Sequence, residues 1–135
     1  MTVFVDTSAI VPTLISTDAD NARAMTCWAE IEVRECRLCT TNYVLLECAA
    51  IGQRRFGMSF VNDVEHRISP LLDVVWITER DHRTAQEAWL AAQHRGISLV
   101  DFVSATVMRR LGILDCFTFD RHFAEMGFKV MPEGR

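Results

Sequence analysis

The chain has 135 residues, half of them apolar, with only 6 Gly and 3 Pro; this excludes an intrinsically disordered chain and allows one domain over residues 1–135 with a sizeable core. No apolar run reaches the ~20 residues of a bilayer-spanning helix, and no basic stretch precedes an apolar segment at the start, so a cytoplasmic protein with reduced cysteines and no membrane attachment is expected. A net charge of −4 argues against an ordinary basic nucleic-acid binder, while 13 of its 14 basic residues are Arg, whose planar fork suits phosphate; a GC-rich genome produces the same bias, so charge alone decides nothing.

In chain order, TVFV (residues 2–5) reads as a strand that runs straight into Asp6, Thr7 and Ser8. Asp18 is placed to cap a helix over about Ala19 to Val33. RLCTT (37–41) is a second strand, and Thr41 caps a helix to about Phe56 that Gly57 stops. Ser59 starts another helix, which ends before Pro70. LDVVWI (72–77) is the plainest strand. Thr78 with Asp81 resembles a capping box for a helix through about His94, terminated by Gly96. Ser98 with Asp101 repeats the device for a helix ending near Gly112. ILDCFTF (113–119) is a strand, a short helix spans about His122 to Met126, and Gly127 leads into a last strand, FKVM. Alternation of this kind predicts an α/β fold with a mostly parallel central sheet of four to five strands, flanked by helices and joined by right-handed crossovers. Ligands then gather outside the carboxyl ends of the strands.

Four acids point to that edge. Asp6 and Asp120 follow strands directly, Asp101 lies in the first turn of its helix, and Glu47 lies about two turns into the helix after RLCTT. Taken singly, Asp6, Asp101 and Asp120 read equally as helix caps. Glu47 does not: its helical neighbours Tyr43, Val44, Ala50 and Ile51 are largely apolar, and no Arg or Lys occurs between Arg37 and Arg54. Two carboxylates about 4 Å apart repel by roughly 4 kcal/mol at an effective dielectric of 20. A cluster of them must therefore bind protons or a cation, and oxygen ligands without Cys or His at ligand spacing favour Mg²⁺ or Mn²⁺. Cys36 and Cys39 form a lone CxxC with no second pair, which reads as packing around a strand rather than a zinc site. Asp115, at the other end of its strand, reads as solvated.

VFVDTSAIVPTL, TTNYVLLECAAI, ISLVDFVSATVMRRLGI and CFTFDRHFAEMGF, in that order, resemble the acidic signature of PIN-domain nucleases, above all toxin ribonucleases of the VapC type. The resemblance implies a three-layer PIN-like α/β sandwich holding one or two Mg²⁺ or Mn²⁺ ions and hydrolysing RNA. Asp6, Glu47, Asp101 and Asp120 would be the metal-site acids, with Thr7 and Thr118 as hydroxyls near metal-bound water or substrate phosphate. Arg121 and His122, next to Asp120, and the pair Arg54 and Arg55 are candidates for the substrate-facing rim, whereas Arg109 and Arg110 sit nearer the far end of their helix. The resemblance further implies a homodimer and a cognate antitoxin, with exposed apolar residues between Tyr43 and Ile68 as the natural interface. A stand-alone PIN-domain RNase without antitoxin and a non-catalytic RNA-binding scaffold are the alternatives. A phosphorylation-dependent receiver domain fits poorly, since the middle strand ends WITE and the only lysine is Lys129. P-loop nucleotide binding is excluded by the missing GK[ST] motif.

Overall fold

Five parallel strands form one sheet in the order β3-β2-β1-β4-β5: β1 (Thr2–Val5), β2 (Arg37–Thr41), β3 (Asp73–Val75), β4 (Asp115–Phe117) and β5 (Lys129–Met131). The computed structural model describes residues 1–133. β1 is the central strand, and Val3, Phe4 and Val5 are all fully buried, as expected of a parallel strand covered on both faces. Its pairing with β2 on one side and β4 on the other makes the β1/β4 boundary the point where strand order reverses. That boundary is where an open α/β sheet leaves a crevice. Asp6 emerges there, its N–H bonded to the Phe117 carbonyl at 3.0 Å.

The helices are α1 (Thr7–Leu14), α2 (Asn21–Val33), α3 (Asn42–Phe56), α4 (Met58–Asp63), α5 (Glu79–Ala92), α6 (Leu99–Leu111) and α7 (His122–Glu125). Sequence-level capping chemistry holds at several ends. The Thr41 side chain accepts from Val44 N–H at the start of α3, and Gly57 ends it at φ +84°. Ser98 and Asp101 form a complete capping box on α6, which Gly112 closes at φ +70°. The core gathers Phe4, Ile10, Met108, Phe117 and Phe123 between sheet and helices. Phe60 of α4 lies over Gly52 of α3, where any Cβ would overlap its ring, so this helix pair packs closer than a side chain at position 52 would permit.

Several expectations need correction. α1, with Pro12 inside it, is an additional helix that the run of predicted elements passes over. α2 begins at Asn21, not Ala19, because Asp18 accepts from the Asp20 N–H at 2.8 Å and so shapes the preceding turn. Gly57 rather than Ser59 precedes α4, which continues through a π-helical turn (Val64–Ile68) and a 3₁₀ turn (Ser69–Leu71) that includes Pro70. β3 stops at Val75, leaving Trp76 outside the sheet and 73% exposed. α5 ends at Gln93, which itself adopts φ +49°, rather than at Gly96. Only half of the Thr78–Asp81 box forms, since the Asp81 carboxylate instead takes a two-pronged bond from Arg110 at 2.8 and 3.0 Å. All five cysteines are free. Burial pushes the Cys39 thiol up to about 11, as befits a side chain buried in the sheet rather than a reactive thiolate. No helix among the described residues is long and apolar enough to cross a membrane.

Candidate active site

Asp6 is the N-cap of α1, with its own backbone extended. Its Oδ2 accepts three hydrogen bonds: from Ser8 N–H (3.2 Å), Ser8 Oγ (2.7 Å) and Thr118 Oγ1 (3.0 Å). The two hydroxyls also touch each other at 2.9 Å. Ser8 Oγ further accepts from Phe119 N–H, and Thr118 Oγ1 from Asp120 N–H, each at 2.9 Å. This network ties the ends of β1 and β4 together across more than a hundred residues of chain. Every hydrogen bond that Asp6 accepts among the described residues falls on Oδ2, and the residue lines the crevice.

Asp101 is likewise held from one side: its Oδ2 accepts from the Ser98 N–H at 3.1 Å, completing the capping box, while the residue still lines the crevice. The capping and cluster readings of this residue are thus compatible. Asp120 turns at the start of α7, where Oδ1 accepts from His122 N–H at 2.9 Å. His122 Nδ1 lies 2.7 Å from the same oxygen, close in distance though off the ideal hydrogen-bond direction. Glu47 reaches in from α3. The buried Thr7 hydroxyl has no well-formed hydrogen bond of its own, yet it lies near enough to Glu47 to draw that carboxyl's pKa down somewhat.

These side chains share an open crevice of about 430 Å³ lined by Asp6, Thr7, Ser8, Asp18, Asp20, Glu47, Asp101, Asp120, Arg55, Ile51 and Phe119, among others. Six carboxylates thus face one cationic side chain among the described lining residues. Burial above all, with the neighbouring Asp101 adding to it, pushes Asp6 up to about 6 against the Ser8 and Thr118 hydrogen bonds. Glu47 is raised by burial and by Asp6, and Asp101 by burial, Asp120 and Glu47. Each of these acids is harder to ionise because the others are present.

The four sequence-predicted acids therefore come together, with Thr7 beside them. Thr118 is placed differently from a substrate contact: it is 1% exposed, and its hydroxyl is spent on Asp6, Ser8 and the Asp120 backbone. Arg121 is exposed and outside the lining, whereas Arg55 is on it. Arg110 is committed to Asp81, and Arg109 to the Met126 carbonyl and the Phe128 ring. Sequence reasoning missed Ser8 as an organiser of Asp6, and missed Asp18 and Asp20 as lining acids. The DxD spacing of the last two was their only signal. Arg23 also escaped notice; it lies over the Phe119 ring and 3.5 Å from Asp20.

Comparisons with known proteins agree with this geometry. The PIN domain family profile matches residues 3–129. The chain is 32% identical over 133 residues to the 23S rRNA-specific endonuclease VapC20 of Mycobacterium tuberculosis, covering 97% of this chain and 99% of that one. The crystal structure of VapC20, described as a sarcin–ricin loop cleaving toxin, superposes with a TM-score of 0.83 at 30% identity, covering 94% of this chain and 96% of that one. FitAcB from Neisseria gonorrhoeae shares the fold at a TM-score of 0.68 and 16% identity, with 96% of each chain covered. An all-parallel sheet with acids converging at its β1/β4 switch point, matched along nearly its whole length, belongs to the PIN domain family.

Proposed function

We propose that this protein is an endoribonuclease that depends on a divalent metal ion and hydrolyses RNA phosphodiester bonds, acting in the cytoplasm as the toxin of a toxin–antitoxin pair. One observation carries the reading. Four carboxylates from four separate elements converge in a crevice where three of them have raised pKa values and Arg55 is the one cationic side chain among the described lining residues. The donor set fits Mg²⁺ or Mn²⁺, since it consists of hard oxygens, and Asp6 and Asp101 both line the crevice while internal hydrogen bonds hold their Oδ2 atoms in place. Asp6 and Asp101 are the principal ligands in this reading, with Glu47 and Asp120 holding a second ion or orienting water. When bound, one or two such ions lower the pKa of water and offset charge on the phosphate.

The chain's own residues do the positioning. Ser8 and Thr118 hold the Asp6 carboxylate in a single orientation, and Ser98 does the same for Asp101. Arg55, at the end of α3, meets the RNA backbone as it enters, and the buried Thr7 hydroxyl steadies the Glu47 carboxylate. Attack by water needs no 2′-hydroxyl, so the products carry a 5′-phosphate and a 3′-hydroxyl. The likeness to VapC20 over 97% of the chain supports the sarcin–ricin loop of 23S rRNA as substrate. Leu46 and Met58, 69% and 55% exposed on α3 and α4, support a homodimer interface there.

The test is cleavage of a sarcin–ricin stem-loop RNA with Mg²⁺ or Mn²⁺, against EDTA and Asp6→Asn controls. Cleavage only by the unsubstituted protein with metal is expected. Equal cleavage by Asp6→Asn, or products ending in a cyclic phosphate, would overturn the mechanism.

A further inference from the structure

A second cluster lies outside the crevice lining. His94, in the turn after α5, and His122 and Glu125, one helical turn apart on α7, each present a ligand atom, and the three atoms lie within 4.8 Å of one another. We propose that these residues form a second metal site, chemically distinct from the all-oxygen crevice, that takes a transition ion with a preference for imidazole, Zn²⁺ first.

Three features of the site support this. Two imidazoles and one carboxylate are a zinc-type donor set that leaves a fourth position open. His122 Nδ1 sits 2.7 Å from the Asp120 carboxylate, off the ideal hydrogen-bond direction; a small rotation of the ring completes the carboxylate–histidine arrangement characteristic of metal sites and leaves Nε2 for the ion. Position 96 is glycine, and a Cβ there would come within 3.2 Å of His94 Cε1 and 3.3 Å of His122 Nε2, so the missing side chain leaves both rings room to converge. The rings already meet edge-on, 5.4 Å between centroids.

Binding asks for small rearrangements only. Zinc–ligand bonds of about 2.1 Å in a tetrahedral site put ligand atoms roughly 3.5 Å apart, so the cluster must contract by about an ångström. His94 and Glu125 are exposed and make no ion pair among the described residues, so they can move. The Gly96 N–H, which donates to His94 Nδ1 at 3.0 Å, gives up that bond whichever ring nitrogen takes the ion. An ion held here immobilises His122 and with it the Asp120 end of the crevice; that consequence alone rests on the nuclease reading.

The experiment measures binding rather than cleavage. Untagged protein is titrated with Zn²⁺ and Co²⁺ under excess Mg²⁺, following Co²⁺ visible bands and histidine ring NMR shifts, for the unsubstituted protein and for His94→Gln, Glu125→Gln, His66→Gln and Asp101→Asn. One ion per chain is expected, weakened about tenfold or more by His94→Gln and by Glu125→Gln, and unchanged by His66→Gln and Asp101→Asn. Wild-type affinity in both His94→Gln and Glu125→Gln, or loss of the ion in Asp101→Asn instead, would overturn the site. Failure of RNA cleavage would leave these binding results intact, so the two readings fail separately.

Discussion

Asp6→Asn separates the crevice's electrostatic burden from its chemistry. Asp6 is 3% exposed, and burial, with Asp101 beside it, pushes its carboxyl from 3.8 up to about 6. A rise of about 2 pKa units corresponds to about 3 kcal/mol that the metal-free fold loses at neutral pH by keeping this group ionised. The sign follows from proton counts. Between about pH 4 and pH 6 the unfolded chain has already released this proton while the folded chain keeps it, so stability falls as pH rises through that window. Above it the loss is complete. An Asn at position 6 is neutral, and its Oδ1 can accept the three bonds that Oδ2 takes now. In EDTA at pH 7.5, the variant should therefore melt higher than the unsubstituted protein by roughly 5–10 °C, while losing RNA cleavage. At pH 4.5 the advantage should shrink to about 1 kcal/mol. Mg²⁺ should raise the melting temperature of the unsubstituted protein and do little for the variant. Thermal unfolding followed by circular dichroism at the two pH values reads all of this. A variant that is less stable by the same amount at both would refute the burden, leaving Asp6 as a plain helix cap.

Substitutions at three further positions probe how the crevice and its frame are held. Asp101→Asn keeps an acceptor for the Ser98 N–H whereas Asp101→Ala removes it, so urea denaturation should find the Ala variant less stable by about 1 kcal/mol although both lose activity; equal stability would mean that the capping box contributes nothing. Ser8→Ala deletes the hydroxyl shared by Asp6 and the Phe119 N–H, and should cut activity or apparent Mg²⁺ affinity by about 10–100-fold, the usual cost of losing a group that orients a ligand; metal-dependence curves matching the parent would remove Ser8 from the machinery. Arg110→Ala strands the buried Asp81 carboxylate (6% exposed against 47% for Arg110) and should cost about 3 kcal/mol in urea denaturation, the low end for a broken buried pair because Arg110 is half-exposed. Turnover per folded molecule should stay unchanged, since Asp81 and Arg110 lie outside the crevice lining.

Much of this molecule is legible without coordinates because its signals are local. TVFV is a strand on four consecutive residues. Thr41 and Gly57 bracket α3, and the Ser98–Asp101 spacing writes a capping box whichever way the chain later folds. Glu47 on an apolar helical face, with no basic residue near it in sequence, announces a charge that needs a partner from elsewhere. The ordered acids Asp6, Glu47, Asp101 and Asp120 carry the family resemblance through type and spacing alone.

What only the tertiary structure decided depends on distances between residues far apart in the chain. The Thr118 hydroxyl looks available on paper and turns out buried against Asp6, 112 positions away. Asp81 has the spacing of a capping-box partner, yet Arg110 on the neighbouring helix offers two charged donors, a stronger claim than one backbone amide. Gln93 ends α5 in a left-handed conformation that sequence reasoning reserves for Gly96. The pairing of β1 with both β2 and β4 sets the switch point that gathers the acids. Arg55, rather than Arg121, reaches the rim because α3 ends beside the crevice. A hydrogen bond or ion pair is settled by separation in space, and a linear sequence specifies that separation only within a turn or two of its own backbone.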